Sequence, residues 1–399
     1  MSPSINSHQH AVTRDHRITQ QHESPATQAR SWLINTMTTT TTRAALLVVL
    51  VACAACAAAA QRYNAIYSFG DSISDTGNLC VGGCPSWLTT GQPPYGNTFF
   101  RRPTGRCSDG RVIVDFLAEH FGLPLPPASK AGGDFKKGAN MAIIGATSMD
   151  ASFFKSIGLS DKIWNNGPLD TQIQWFRQLL PNVCGRDCKN YLSKSLFVVG
   201  EFGGNDYNAP LFAGRSMSEV RGYVPQVVSK IIRGLETLIR MGAVDVVVPG
   251  VLPIGCFPIY LTLYGTSNGA DYDGNGCLNS YNGLSAYHNR LLKRSLSNLQ
   301  RTYPHARIMY ADFYSQVTAM VRSPQNFGLK YGLKVCCGAG GQGKYNYNNK
   351  ARCGMSGSSA CSDPGNYLIW DGIHLTEAAY RSIADGWLKG PYCNPPILR

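Results

Sequence analysis

An α/β domain built on a parallel sheet is the fold class that this sequence predicts, and three observations predict it. Five short apolar runs recur along the chain, at residues 65–69, 139–144, 196–202, 244–251 and 307–313. Amphipathic stretches fall between and after them, at 112–121, 169–180, 220–241, 284–301 and 377–388. The apolar runs are continuous rather than alternating, which marks strands buried on both faces and therefore a sheet covered by helices on both sides.

In chain order, residues 1–36 are rich in Gln, His, Ser and Thr and lack apolar periodicity, so a disordered extension is expected. Met37 begins a second start, and translation is expected to begin there, because a polar stretch of that length ahead of a signal is unusual. A Thr run, Arg43 and an apolar stretch ending in Ala58-Ala59-Ala60 follow, and 37–60 reads as a cleavable signal peptide. A membrane anchor is the competing reading of 44–60, and its Ala-rich composition and borderline length count against it. Residues 61–399 are expected to form one domain, since no linker or internal repeat interrupts them. The loops at 79–111, 256–282 and 335–366, rich in Gly, Tyr, Asn and Cys, would decorate it. The last helix opens at Thr376, a ready N-cap.

The chain has 37 basic and 24 acidic residues and a net charge of +13. The basic residues are scattered without a run of five, so nucleic-acid binding is not expected, and a polyanionic wall or membrane surface fits the charge as well. Of fourteen Cys, Cys53 and Cys56 lie in the apolar leader, leaving an even twelve. Behind a secretion signal, that number argues for disulfides formed in an oxidising compartment. Cys80 with Cys84 and Cys184 with Cys188 suit short-loop pairs, while Cys336, Cys337, Cys353 and Cys361 allow several pairings. A metal site lacks support, because no His lies in the cysteine clusters.

Four patches carry chemistry. The first is Phe69-Gly70-Asp71-Ser72-Ile73-Ser74-Asp75-Thr76-Gly77-Asn78, where an apolar run hands the backbone to an acidic turn. The second is 138–147, broken at Gly145, and the third is Val198-Val199-Gly200-Glu201-Phe202-Gly203-Gly204-Asn205-Asp206. The fourth is Trp370-Asp371-Gly372-Ile373-His374-Leu375-Thr376. Strand ends of open α/β sheets are where ligands bind. Acyl transfer needs a nucleophile, a base, an orienting carboxylate and donors for an oxyanion. Ser72, His374 and Asp371 can fill the first three roles; the Ser72 and Gly145 N–H groups and the Asn205 amide can fill the last. Each piece has a bland alternative: Ser72 as a helix cap, His374 as a helix-start histidine, 203–206 as a plain turn, and Gly145 as a packing glycine. His374 is singled out because, of the four His past the leader, it alone has Asp three residues before it.

Together the patches resemble, in order, the conserved blocks of plant-type GDSL esterase/lipases of the SGNH hydrolase superfamily, over roughly 63–393. Ile73 stands where the family name has Leu, and Met141 and Ile144 depart from the second block. The resemblance implies a three-layer α/β/α fold with five parallel strands in flavodoxin-like order, which sets Ser72 beside Asn205 at the switch point. It implies Ser72 as nucleophile, Asp371 and His374 as the rest of a triad, Ser72, Gly145 and Asn205 as oxyanion donors, and no metal or cofactor.

Two further motifs read as decoys. Gly265-Thr266-Ser267-Asn268-Gly269 matches a nucleophile elbow but opens no helix. Residues 338–344 imitate a phosphate loop, but Tyr345 replaces the required Ser or Thr. The expectation is therefore a secreted serine carboxylester hydrolase, extracellular or in the cell wall, with the Golgi or vacuole lumen as other compartments. Its partner would be a small-molecule or polysaccharide ester, and no stable membrane anchor would remain after signal cleavage. A short acyl chain on a polar alcohol is expected from Tyr260, Tyr264, Asn268, Tyr272, Asn275, Tyr281, Tyr345, Asn346 and Tyr347 on the candidate rim, and from the lack of a long apolar loop near the patches. The alternatives are an acyltransferase with the same triad, a lipase for longer chains, and an inactive binding protein on the same fold.

Overall fold

The computed structural model describes residues 63–164 and 166–398. The expected disordered extension and signal peptide, with Cys53 and Cys56, lie outside the described residues. The apolar runs form five parallel strands: β1 (Ile66–Phe69), β2 (Gly138–Asn140), β3 (Leu196–Val199), β4 (Asp245–Pro249) and β5 (Arg307–Ala311). The sheet runs β5-β4-β3-β1-β2, with Ile66 opposite both Gly138 and Leu196. β1 and β3 are thus neighbours whose following connections diverge, which opens the crevice at their C-terminal ends.

Strand residues are buried on both faces because helices cover both. Leu169–Val183, Met217–Met241 and Asn279–Thr302 pack on one another; Ile113–His120, Phe313–Arg322 and Glu377–Lys389 form a second group. The Thr376 hydroxyl accepts from the Ala379 N–H at 3.2 Å, the expected cap. One core runs through both groups, from Tyr63 to Ile397.

The structure corrects the sequence reading in several places. A sixth strand, Cys393–Asn394, joins the edge of the expected five-stranded sheet antiparallel to β5. The apolar run at 139–144 leaves the ladder after Asn140. Met141–Ile144 is buried; the Met141 N–H still reaches Ser68 O of β1 at 2.7 Å, but the Ile143 N–H goes to Gly70 O at 3.3 Å and the Ile144 N–H to Asp75 Oδ2 at 2.9 Å. β3 ends at Val199 because Gly200 takes φ of 133° and turns the chain away. Ten cysteines pair, as 80–84, 184–188, 256–277, 336–361 and 337–353. Cys107 and Cys393 remain free and buried, so the even count of twelve does not pair completely.

Candidate active site

Ser72 sits two residues past the glycine that ends β1. Gly70 takes φ of 156°, and a Cβ there would lie 2.8 Å from Gly200 O. The buried Gln172 clamps this turn, its Oε1 accepting from Gly70 N at 2.9 Å and its Nε2 donating to Gly70 O at 2.8 Å. The Asp71 carbonyl then accepts from the Ser74 and Asp75 N–H groups, closing a tight turn around Ser72. Asp75 joins this turn to the loop after β2, because its carboxylate accepts from Gly77, Asn78 and Ile144 N–H groups. The Asp206 carboxylate accepts from Ser148 and Met149 N–H groups, fastening that same loop to the helix Gly204–Phe212 that carries Asn205.

Residues 302 positions apart in sequence meet here. His374 Nε2 lies 2.9 Å from Ser72 Oγ. On the other side of the ring, Nδ1 lies 2.7 Å from Asp371 Oδ2. Asp371 Oδ1 also accepts from the His374 and Ile373 N–H groups, at 2.9 and 3.1 Å, which fixes the carboxylate on its own turn. Such a relay can draw the hydroxyl proton onto the ring while the carboxylate holds the ring's orientation.

Gly145 lines the same cleft, with φ of 81°, and a Cβ there would stand 2.7 Å from Trp164 Cε3. Among the described residues, neither the Ser72 N–H nor the Gly145 N–H has a partner within the protein. The Asn205 amide donates to Asp71 Oδ2 and to Ala146 O, both at 3.0 Å. All the sequence-derived site residues therefore line one cleft of about 640 Å³. Both decoy motifs lie away from it, and Ser267 is exposed on a surface loop.

Charge follows geometry. Burial works to raise the Asp371 carboxyl, but the facing His374 ring and its hydrogen bonds outweigh that and hold it at about 2. Burial works to lower the His374 ring, but the Asp371 carboxylate outweighs it and raises the ring well above the usual range. Tyr95, which no sequence signal marked, donates its hydroxyl to Asp371 Oδ2 at 2.8 Å and stacks edge-on against Trp370. Cys107 lies buried near the His374 ring, and burial pushes its thiol up, so it stays neutral there. Asp71 and Glu201 were legible only as acids inside quoted motifs; both prove buried, beside the site.

The cleft rim differs from the expected one. Of the Tyr and Asn residues expected there, Tyr264 and Tyr347 line it, and Tyr260 is buried beneath. The exposed side chains Trp87, Trp164, Phe212 and Leu263 form much of the remainder, with the two indole rings 4.5 Å apart. The expectation of no long apolar loop near the patches did not foresee this rim, which is assembled from single residues on separate segments. Lys162 and Arg352 add positive charge at the mouth. Among the described residues, no helix is long and apolar enough to cross a membrane.

The family model for GDSL-like Lipase/Acylhydrolase matches residues 66–387. The chain is 47% identical over 344 residues to GDSL esterase/lipase At5g45910 of Arabidopsis thaliana, covering 84% of this chain and 92% of that one. It is 45% identical to GDSL esterase/lipase At1g28600 of the same plant, covering 84% and 86%. Among solved structures, phospholipase A1 from Streptomyces albidoflavus NA297 aligns over 81% of this chain and 96% of that one, with a TM-score of 0.36 and 14% identity. The chain belongs to the GDSL-like lipase/acylhydrolase family and is a carboxylic ester hydrolase.

Proposed function

We propose that the chain hydrolyses its esters through a Ser72 acyl-enzyme, with His374 as the base and then the acid, and Asp371 as the group that orients His374. The observation that carries this reading is the Ser72–His374–Asp371 relay, at 2.9 and 2.7 Å, opening on a cleft. His374 takes the Ser72 proton as Oγ attacks the ester carbonyl, then returns it to the leaving alcohol. Water attacks the acyl-enzyme by the same route in reverse. The carbonyl oxygen, negative in the tetrahedral intermediate, is received by the Ser72 and Gly145 N–H groups and by the Asn205 amide. The two unpaired N–H groups support this assignment.

A secreted product with the leader 37–60 removed is part of this proposal, and the five disulfides support an oxidising destination. For the substrate we propose a short acyl chain on a polar alcohol. The paired indoles of Trp87 and Trp164 offer stacking faces for a sugar ring, and Arg352 favours an acidic one, while Lys162 is already paired with Asp161 at 2.7 Å. Phe212 and Leu263 on the same rim favour a second reading, a longer acyl chain. Turnover of nitrophenyl acetate and nitrophenyl palmitate by wild type and Ser72→Ala tests both levels. The acetate ester is expected to have the higher kcat/KM, and Ser72→Ala to lose turnover with a melt close to wild type. A preference for palmitate establishes the second reading, and an active Ser72→Ala removes the acyl-enzyme.

A further inference from the structure

Two carboxyl groups meet beneath the site, and among the described residues neither forms an ion pair with a Lys or Arg. Asp71 leaves β1 and Glu201 leaves β3, and because these strands are neighbours their exits lie side by side. Both residues are buried, at 3% and 4% exposure, and their carboxyls act on each other at close range. Two ionised carboxylates in contact in a dry interior repel strongly, so the pair keeps one proton. Burial raises both carboxyls, Asp71 to about 7 and Glu201 well above its usual range, and the hydrogen-bond donors favour Glu201 as the one that keeps the proton. Asp71 accepts from the Ile73 N–H at 2.9 Å and from the Asn205 amide at 3.0 Å, as a carboxylate does. Glu201 Oε2 is buried with no donor of its own, as suits a protonated carboxyl. Burial first, and then Asp71, push Glu201 well above the usual carboxylate range.

We propose that Glu201 is a positioning residue of this hydrolase: in its neutral form it donates to Asp71, which in turn holds the Asn205 amide plane toward the cleft. The amide is then fixed between two acceptors, Asp71 Oδ2 and Ala146 O. When charge develops on the substrate oxygen, the N–H now given to the Ala146 carbonyl is the one free to shift, while Asp71 keeps the other. Without the Glu201 proton, Asp71 faces a second carboxylate and keeps only the Ile73 N–H and the Asn205 amide as donors, so the amide's partner is no longer held in place. The inference rests on Asn205 being an oxyanion donor, so its test includes a separate check of that role.

The experiment is a double-mutant cycle on the full-length secreted product, read as kcat and KM with a thermal melt for each variant. Asn205→Ala should lower kcat by about 100-fold; if it does not, the oxyanion reading of Asn205 fails, whatever Glu201 does. Glu201→Gln retains an N–H donor toward Asp71 and should keep kcat within about 3-fold of wild type. Glu201→Leu removes the donor and should lower kcat by roughly 10-fold or more with KM nearly unchanged. In the Asn205→Ala background, Glu201→Leu should cost little further, because both act through one group. The proposal is overturned if Glu201→Gln falls as far as Glu201→Leu, or if the Glu201→Leu loss persists in full beside Asn205→Ala. Should Glu201→Leu not fold, Glu201→Gln decides alone: a drop beyond about 30-fold with an unchanged melt overturns the neutral-donor role.

Discussion

At His374 two effects oppose each other. Burial disfavours the charged ring, and the Asp371 carboxylate 2.7 Å away favours it and prevails. In its proposed role as base the ring must be neutral to accept the Ser72 proton, so activity is expected to be absent below the ring's pKa and to appear as pH rises through it. The acid limb of kcat/KM should therefore lie above the ordinary histidine value of 6.5. Asp371→Asn removes the charge and leaves burial dominant, so the limb should move to lower pH. The same change should lower kcat by about 10⁴-fold, because the ring loses its fixed tautomer. A limb that stays in place in Asp371→Asn would show that another group titrates there. The pairing of Asp371 with His374 was legible because both lie on one short turn. Tyr95 and Cys107 were not, because nothing in their local sequence reveals that the loop at 79–111 folds over the ring.

The element that delivers Asp371 is short and depends on its neighbours. Tyr367–Ile369 pairs with Tyr331–Val335, and Cys336 and Cys337 donate their N–H groups to Ile369 O and Trp370 O at 3.0 and 2.7 Å. Those two cysteines anchor the disulfides 336–361 and 337–353, which close loops with sequence separations of 25 and 16. Closing a loop of the shorter size stabilises a fold by about 3 kcal/mol. Replacing Cys337 and Cys353 together by Ser should lower stability by that order and lower kcat more than it changes KM. The test is denaturant unfolding beside steady-state kinetics, and full activity with both thiols gone would contradict it. Element interiors were legible here because continuous apolar runs and 3.6-residue periodicity are local properties. Their ends were not: Met141–Ile144 looks like strand, but past the last bond to β1 at Ser68 its Ile143 and Ile144 N–H groups are claimed by Gly70 and Asp75 from a distant turn. The edge strand Cys393–Asn394 is two residues long and carries no pattern at all.

Across the whole molecule, the strand order does the work of assembly. β1 lies between β2 and β3, so the segments that follow those three strands converge on one crevice, and the turn before the last helix closes it. Residues from Ser72 to His374 thereby share a site that each local motif, taken alone, left open to a bland reading. The rim was less legible, since Trp87 and Trp164 come from separate loops and Phe212 and Leu263 from the ends of two helices, and they meet only in the folded chain. The convergence makes a claim about reactivity: of all the serines, one should be activated. Treating the folded protein with a fluorophosphonate and mapping the adduct by peptide mass spectrometry measures this directly. The expected result is a single adduct on Ser72, formed in step with loss of esterase activity and absent in His374→Ala. Inactivation without a Ser72 adduct, or an adduct on another serine such as Ser267, would contradict the account.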